Sequence, residues 1–397
     1  MAQALLVESG ADKTDVALID SKLSYKEGYP LRDQFKTPQL KADFLEGLRT
    51  TSNELFSRSQ NLEKKAEVIE LSSAGIIDKT NGHIKTTNSG ELAYSMQEVC
   101  DALKTKGIET QSWECHNDMP PGIKGAISHI TNQEKEIDYS KSDKVEVIKD
   151  ALESRVTDNI AYCMPGGGYG VGLAIKDNGK YIIVPGELGH ILIGESGDKF
   201  DRTVVDYILK NGGKKPEYEH VIGGKFLKNI LDTIIDSRET LRLSQYGLMS
   251  TKSRAEIESK TLLSYLQEDW KNQLSELKAK VNSNPDSARI ISESADGGNS
   301  IAQLVMKKAA SYYIRSTFEA INAANCGIVV MTGHFINKSQ YVKDSFNDLL
   351  EEEAANRVHE GVYKDRVDYV KIDDPNINLR GLEAFARERI SINLSLR

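Results

Sequence analysis

The chain has 397 residues, 39% of them apolar and 28% charged, with 51 Lys and Arg against 59 Asp and Glu for a net charge of −8. That length leads us to expect roughly two or three domains with sizeable cores, and the acidic balance excludes a surface built to neutralise a nucleic-acid backbone. It does not exclude nucleotides, because glycine loops, helix N-termini and Mg2+ hold phosphates without a basic surface.

The first ten residues, MAQALLVESG, are too short in their apolar part for a secretory signal and run straight into charge. No apolar run approaches the roughly 18 residues of a spanning helix. Cys100, Cys115, Cys163 and Cys326 are scattered without a C-x-x-C pair, so reduced thiols and no structural zinc are expected. A cytoplasmic protein with no membrane partner is the expectation.

In chain order, ALLVES and VALID are short apolar runs around GADKTD, a hairpin whose loop holds Gly10, Asp12, Lys13 and Thr14. Residues 38–59 carry apolar positions at helical spacing. AEVIELSSAGIID reads as a buried strand, and GELAYSMQEVCDALKTKG as a helix with Gly107 just past its end. WECHNDMPPGIKGAI then places His116, Asn117 and Asp118 directly before two prolines. Residues 143–157 read as a helix. NIAYCMPGGGYGVGLAI is a strand, a glycine turn and a second strand, and KYIIVPGELGHILIG repeats that arrangement. Residues 201–236 are helical apart from NGGKKPEYEH, and SRAEIESKTLLSYLQEDWKNQLSELKAKV is an amphipathic helix suited to packing or subunit contact. A long helix rich in small residues follows, then the buried strand NCGIVVMTGHFI, the strand DYVKIDD and the helix LRGLEAFARERI. Strands alternating with helices predict an α/β fold.

Three glycine turns sit at strand ends: ESGADKT, PGGGYGVG and TGHF. Each alone marks a turn, but together they supply several runs of backbone N–H groups of the kind that cradle phosphate. No Walker A sequence is present, and GGGYGVG runs into a strand instead of the helix of a dinucleotide fingerprint. The stretch VPGELGH sets a carboxylate, Glu187, and an imidazole, His190, in one glycine-framed turn. A lone E-x-x-H of this kind reads as a solvated hairpin loop.

The ordered series ESGADKTDVALID, SSAGIIDKTNGHIKTTN, HND, MPGGGYGVGLAI, VPGELGH, EYEHVIGG, IVVMTGHFI and DDPNINLRGLEAF resembles the segments of bacterial-type glucokinases. The resemblance runs from about residue 4 to 390, and the charged region 240–285 looks like an enlarged insertion. It implies a two-domain actin-like ATPase (ribonuclease H-like) α/β fold with an inter-domain cleft. The smaller domain would comprise 1–117 completed by 373–397, and the larger 118–372. It implies Asp118 as general base and Asn117, Glu187, His190 and Glu219 as sugar contacts. Gly10, Ala11, Asp12, Lys13 and Thr14 would form the first phosphate loop, Gly166, Gly167 and Gly168 the second, and Gly333 would begin the adenosine-side turn. Glu8 is the candidate for an indirect contact to Mg2+, and ATP is the implied phosphoryl donor.

These residue types suit the chemistry. A hexose presents several hydroxyls, each donor and acceptor, and carboxylates, an amide and an imidazole can fix its orientation. Phosphoryl transfer needs positioning, charge neutralisation and a base for the hydroxyl proton. The chain also departs from the family pattern. Its first loop reads Glu8-Ser9-Gly10-Ala11-Asp12-Lys13, where the family has Asp-x-Gly-Gly-Thr-Asn. Its second is three glycines where the family has Gly-Thr-Gly, and Gly333 is followed by His334 where the family has a second glycine. The expected function is ATP- and Mg2+-dependent phosphorylation of glucose to glucose 6-phosphate. The alternatives are a sugar-binding sensor that has lost efficient catalysis, which the altered loops favour, and a kinase of another hexose such as N-acetylglucosamine, whose first loop ESGADKTD resembles. A homodimer is one expected assembly, with the charged helix at 254–282 as a candidate contact.

Overall fold

A computed structural model describes residues 3–10, 13–20, 31–59, 64–86, 92–131, 144–186, 188–193, 199–212, 215–236, 270–284 and 286–395. The chain divides into two compact units, one made of residues 1–142 with 374–397 and the other of residues 143–373. The first unit therefore ends after, not before, the helix that Asp118 introduces, and its last element is the C-terminal helix.

In the first unit, strands β1 (Gln3–Ser9), β2 (Lys13–Asp20) and β3 (Arg32–Lys36) form an antiparallel meander. Helix α1 (Lys41–Arg58) leads to β4 (Lys65–Ser73), which lies parallel to β1. A small antiparallel sheet of β5 (Gly75–Asp78), β6 (His83–Thr86) and β7 (Ala93–Ser95) comes next, then helix α2 (Met96–Lys104) and β8 (Glu109–Asn117), parallel to β4. Helix α3 (Met119–Ile130) follows at once, with prolines in its first turn, where their missing N–H groups are not needed. The larger sheet has the order β3-β2-β1-β4-β8.

The period-two alternation of β1 and β2 explains the layers. Leu5, Val7, Val16 and Leu18 face Phe44, Leu48, Leu55 and Phe56 of α1, while Ala4, Leu6, Ala17 and Ile19 face Leu379, Leu382 and Ala386 on the other side. Those last residues belong to the C-terminal helix (Ile377–Ser395), which packs on α3 at very short range. A methyl group at Gly125 would stand 2.0 Å from the carbonyl oxygen of Ile377, and one at Gly381 would stand 1.8 Å from that of Pro121.

In the second unit, β9 (Val145–Lys149), β10 (Ile160–Pro165), β11 (Tyr169–Asp177) and β12 (Lys180–Val184) precede a single 3-10 turn at Leu188–His190. The helices α4 (Lys199–Gly212), α5 (Glu219–Ile222), α6 (Leu227–Asp236), α7 (Trp270–Asn282) and α8 (Ser287–Asp296) lead to the 25-residue α9 (Ser300–Ala324). That helix is buried along most of its length, as its small-residue composition allows. Strand β13 (Ile328–Met331), helices α10 (His334–Lys338), α11 (Gln340–Ala354) and α12 (Glu360–Asp365), and strand β14 (Asp368–Ile372) complete the unit, and the C-terminal helix is α13. The sheet order is β12-β11-β10-β13-β14-β9, with β10, β13 and β14 parallel. No described helix is long and apolar enough to cross a membrane.

Three sequence expectations need correction. The segment 143–157 is not a helix: alternating Val145 and Val147 pair with Ile372 and Val370 in an antiparallel edge strand, the half-buried setting that β-branched residues suit. The helix expected from GELAYSMQEVCDALKTKG is shorter, because Ser95 and Glu98 form a capping box that starts α2 at Met96, leaving Ala93–Ser95 to pair as β7. HILIG does not form a second strand after VPGELG; only Leu192 bridges, to Glu217. Of the helix expected at 254–282, Trp270–Asn282 is helical and the remainder lies outside the described residues.

Gly381→Ala should destabilise the first unit by about 3 kcal/mol, because neither backbone can retreat without unpacking α13 from α3. Thermal unfolding would check this; a variant as stable as the parent would mean that the two helices are not so closely held.

Candidate functional site

The first unit gathers its candidates at the carboxyl ends of three parallel strands. Ser9 of β1 pairs with Ser73 of β4, and Ser73 pairs with Asn117 of β8. With strands about 4.8 Å apart, the loop after Ser9 and the residues after Asn117 sit about 10 Å apart on one sheet edge. This is the edge at which open α/β sheets bind ligands.

Asn117 is fixed at both ends of its amide: Nδ2 donates to the Gly75 carbonyl at 3.1 Å, and Oδ1 accepts from the Met119 N–H at 3.0 Å. Asp118 occupies the N-cap position of α3, yet its side chain makes no capping hydrogen bond. Behind it, His116 Nε2 lies 2.7 Å from Glu70 Oε2, both groups being buried, and the ring stacks on Phe385 at 4.6 Å.

Glu70, Glu114 and His116 present ligand atoms within 4.8 Å of one another. Arg389 of α13 pairs with both carboxylates, its Nε 3.1 Å from Glu70 Oε1. A guanidinium therefore already offsets part of the cluster's negative charge from the position a cation would take.

In the first loop, Gly10 N–H closes the turn on the Lys13 carbonyl at 3.0 Å. Ala11 and Asp12 lie outside the described residues. Lys13 extends into solvent and pairs with Asp15 at 2.9 Å. Thr14 differs from its expected place: it is the second residue of β2, fully buried, with Oγ1 2.9 Å from Thr37 Oγ1, so its hydroxyl turns into the sheet and not towards a phosphate. Glu8 is partly buried, and Asn378 of α13 donates to its Oε1 at 2.8 Å. Desolvation pushes its carboxyl up from 4.5 to about 7; the Asn378 hydrogen bond opposes the rise, and smaller effects come from Asp15, Lys13 and Arg32. Asn378 Oδ1 is buried without a hydrogen-bond partner among the described residues. An under-neutralised carboxylate beside an unpartnered amide oxygen is a donor set that suits a hydrated Mg2+, which takes few protein ligands and keeps its waters.

The second unit brings its own candidates together. The loop Gly166–Gly168 is a tight turn closed by Gly166 N–H on the Gly168 carbonyl at 2.9 Å. Gly333, at φ +90°, lies against the end of β10, where a methyl would stand 2.3 Å from the Pro165 carbonyl oxygen. The second and third glycine turns are thus adjacent because β10 and β13 run parallel. The glycines of the PGELGH stretch also have a packing reason: methyls at Gly186 and Gly189 would meet the carbonyl oxygens of Val171 and Tyr169 at 2.6 and 1.9 Å.

That close fit seats His190 between two carboxylates. Its Nδ1 lies 2.6 Å from Glu217 Oε2 and its Nε2 3.5 Å from Glu219 Oε2. Glu219 in turn reaches over the glycine loop, with Oε1 3.1 Å from where a Gly168 methyl would stand. Sequence reasoning missed Glu217; its signal was the pair of glutamates in EYEH two residues apart, of which only the second was singled out. Glu187 lies outside the described residues.

The two sheets and their helices define an α/β protein of the actin-like ATPase type. A family model described as Glucokinase matches residues 127–333, and the chain belongs to the glucokinase family, which makes it a hexokinase-type phosphotransferase. Among solved structures, a glucokinase from an Antarctic psychrotroph is similar at 16% identity and TM-score 0.64, covering 98% of this chain and 99% of its own. A glucokinase from Balamuthia mandrillaris in complex with glucose is similar at 15% identity and TM-score 0.66, covering 97% and 94%. A ROK family glucokinase from Streptomyces griseus in complex with glucose and AMPPNP is similar at 13% identity and TM-score 0.58, covering 98% and 100%. No curated protein matches the chain significantly.

A carboxyl that is neutral when folded and ionised when unfolded costs stability as pH rises, here from about 4.5 to about 7, and by a constant amount above that. Glu8→Gln should therefore raise the Tm of the metal-free protein at pH 8, with the gain fading towards pH 5. A gain that does not change with pH would exclude the raised carboxyl as its source.

Proposed function

We propose that the protein transfers the γ-phosphoryl group of ATP to the 6-hydroxyl of a hexose, with glucose as the best candidate, and that Asp118 is the general base. What supports this reading most is the placement of Asp118. It stands at the head of a helix, at the carboxyl end of a parallel strand, level with the first glycine loop. A base must be held still beside the hydroxyl it deprotonates. The locked amide of Asn117, its neighbour in the chain, fixes the backbone that carries it.

In this mechanism Asp118 takes the proton of the sugar 6-hydroxyl as the oxygen attacks the γ-phosphorus, and the bond from that phosphorus to the β,γ-bridging oxygen breaks with ADP as the leaving group. The sugar ring is oriented by Asn117, Glu187, His190 and Glu219, and Glu217 sets the orientation of the His190 imidazole. The glycine turns at Gly10, Gly166–Gly168 and Gly333 receive the nucleotide. Glu8 and Asn378 would hold Mg2+ through its waters, and the ion would offset charge on the phosphates. Glu219, lying between His190 and Gly168, stands where the sugar contacts meet the phosphate loop.

A coupled assay of glucose 6-phosphate formation with ATP and Mg2+, beside calorimetric glucose binding, tests this. Asp118→Asn should lower kcat by about 10²- to 10⁴-fold while glucose binding is retained. Substantial turnover in that variant would remove Asp118 as the base. Glucose binding by the parent protein without turnover would make it a sensor. Glu217→Gln should raise the KM for glucose about tenfold or less through a loosened His190, with the KM for ATP unchanged. Equal effects on both substrates would argue against a sugar-side role.

A further inference from the structure

We infer that Lys225 is a nucleotide-phosphate contact and provides the positive charge of the second glycine loop; this rests on the kinase reading above. The loop Gly166–Gly168 has no side-chain donor of its own. Its carbonyls are occupied by the turn that follows α5: Gly224 N–H donates to Gly166 O at 2.8 Å, and Lys225 N–H to Gly167 O at 3.1 Å. The N–H groups of Gly167 and Gly168 have no protein partner among the described residues. Nothing lies within 4 Å of where a methyl at Gly166 would stand. An open glycine turn whose acceptors are capped and whose donors are unused is set up for an anion.

Lys225 runs along that turn. Its Cε comes 3.4 Å from where a Gly167 methyl would stand, and its Cγ and Cδ come within 4.0 Å. Its backbone is tied to the same residue, so both ends of the contact are defined. The side chain is exposed and makes no ion pair among the described residues. Its methylenes lie on the glycines of the loop. On the other side, Glu219 reaches over Gly168 and directs negative charge at any incoming phosphate. A cation beside the loop offsets that charge, and Lys225 is placed to provide it.

The test compares parent, Lys225→Met and Lys225→Arg by steady-state kinetics and by calorimetric binding of ATP. Lys225→Met should raise the KM and Kd for ATP about tenfold or more, the effect of losing one charge-assisted hydrogen bond. The KM for glucose and the Tm should not change, and Lys225→Arg should recover ATP affinity to within about threefold of the parent, since a guanidinium also serves phosphate. Added salt should weaken ATP binding less in Lys225→Met than in the parent. An ATP affinity unchanged in Lys225→Met, in a parent that phosphorylates sugar, would overturn the inference and leave the kinase reading intact. A parent that binds ATP without turnover would overturn the kinase reading, and the same comparison of Kd would still decide the role of Lys225. A parent that binds no ATP would overturn both.

Discussion

The crossing of α13 on α3 is the contact on which the first unit depends. Gly125 and Gly381 let the two helix backbones approach to a distance that no side chain would permit. That approach brings Leu379, Leu382 and Ala386 onto the open face of the sheet. It also puts three side chains of one helix against the strand residues: Asn378 on Glu8, Arg389 on Glu70 and Glu114, and Phe385 flat against His116. A carboxylate such as Glu70, fully buried, is tolerated only when hydrogen-bonded and paired; His116 of β8 supplies one partner and Arg389 of α13 the other. The last helix of the chain therefore stabilises the sheet and also fixes the environment of the residues just before Asp118.

The second unit solves the same problem with loops. Parallel pairing of β10 with β13 makes two glycine turns neighbours, and the turn at Gly223–Lys225 closes on the first of them through two backbone hydrogen bonds. The 3-10 turn at Leu188–His190 then presses its glycine onto Tyr169, which holds His190 beside Glu217 and Glu219. Backbone donors and acceptors satisfied within the loops leave the remaining ones directed outward, which is how a rigid phosphate turn is made from flexible residues.

The altered glycine loops acquire a physical meaning in this setting. A second loop of three glycines has given up any side-chain donor, but the neighbouring Lys225 lies along it. Glu8 is longer than an aspartate at the same place, and it is engaged by Asn378 at the far end of the chain. Thr14, by contrast, belongs to the sheet and not to the loop, because its position in the β1–β2 register turns it towards Thr37.

Much of this protein was legible in the residues themselves. Apolar runs marked β1, β2, β10 and β11, helical spacing marked α1, and the HND, PGGGYG and PGELGH stretches marked the candidate site through their resemblance to glucokinase segments. Local chemistry suffices for the strands, turns and helix, since pleat, turn and cap are set by near neighbours in sequence. Where periodicity was ambiguous it misled: VEVIK became an edge strand only because β14 was there to pair with it, and HILIG remained irregular because the preceding turn had to pack on β11. Glu217, Asn378 and Lys225 could not be identified by any motif. Each acquires its place from a contact with a residue distant in sequence, and such contacts exist only once the parallel strands are in register and the helices have closed over them.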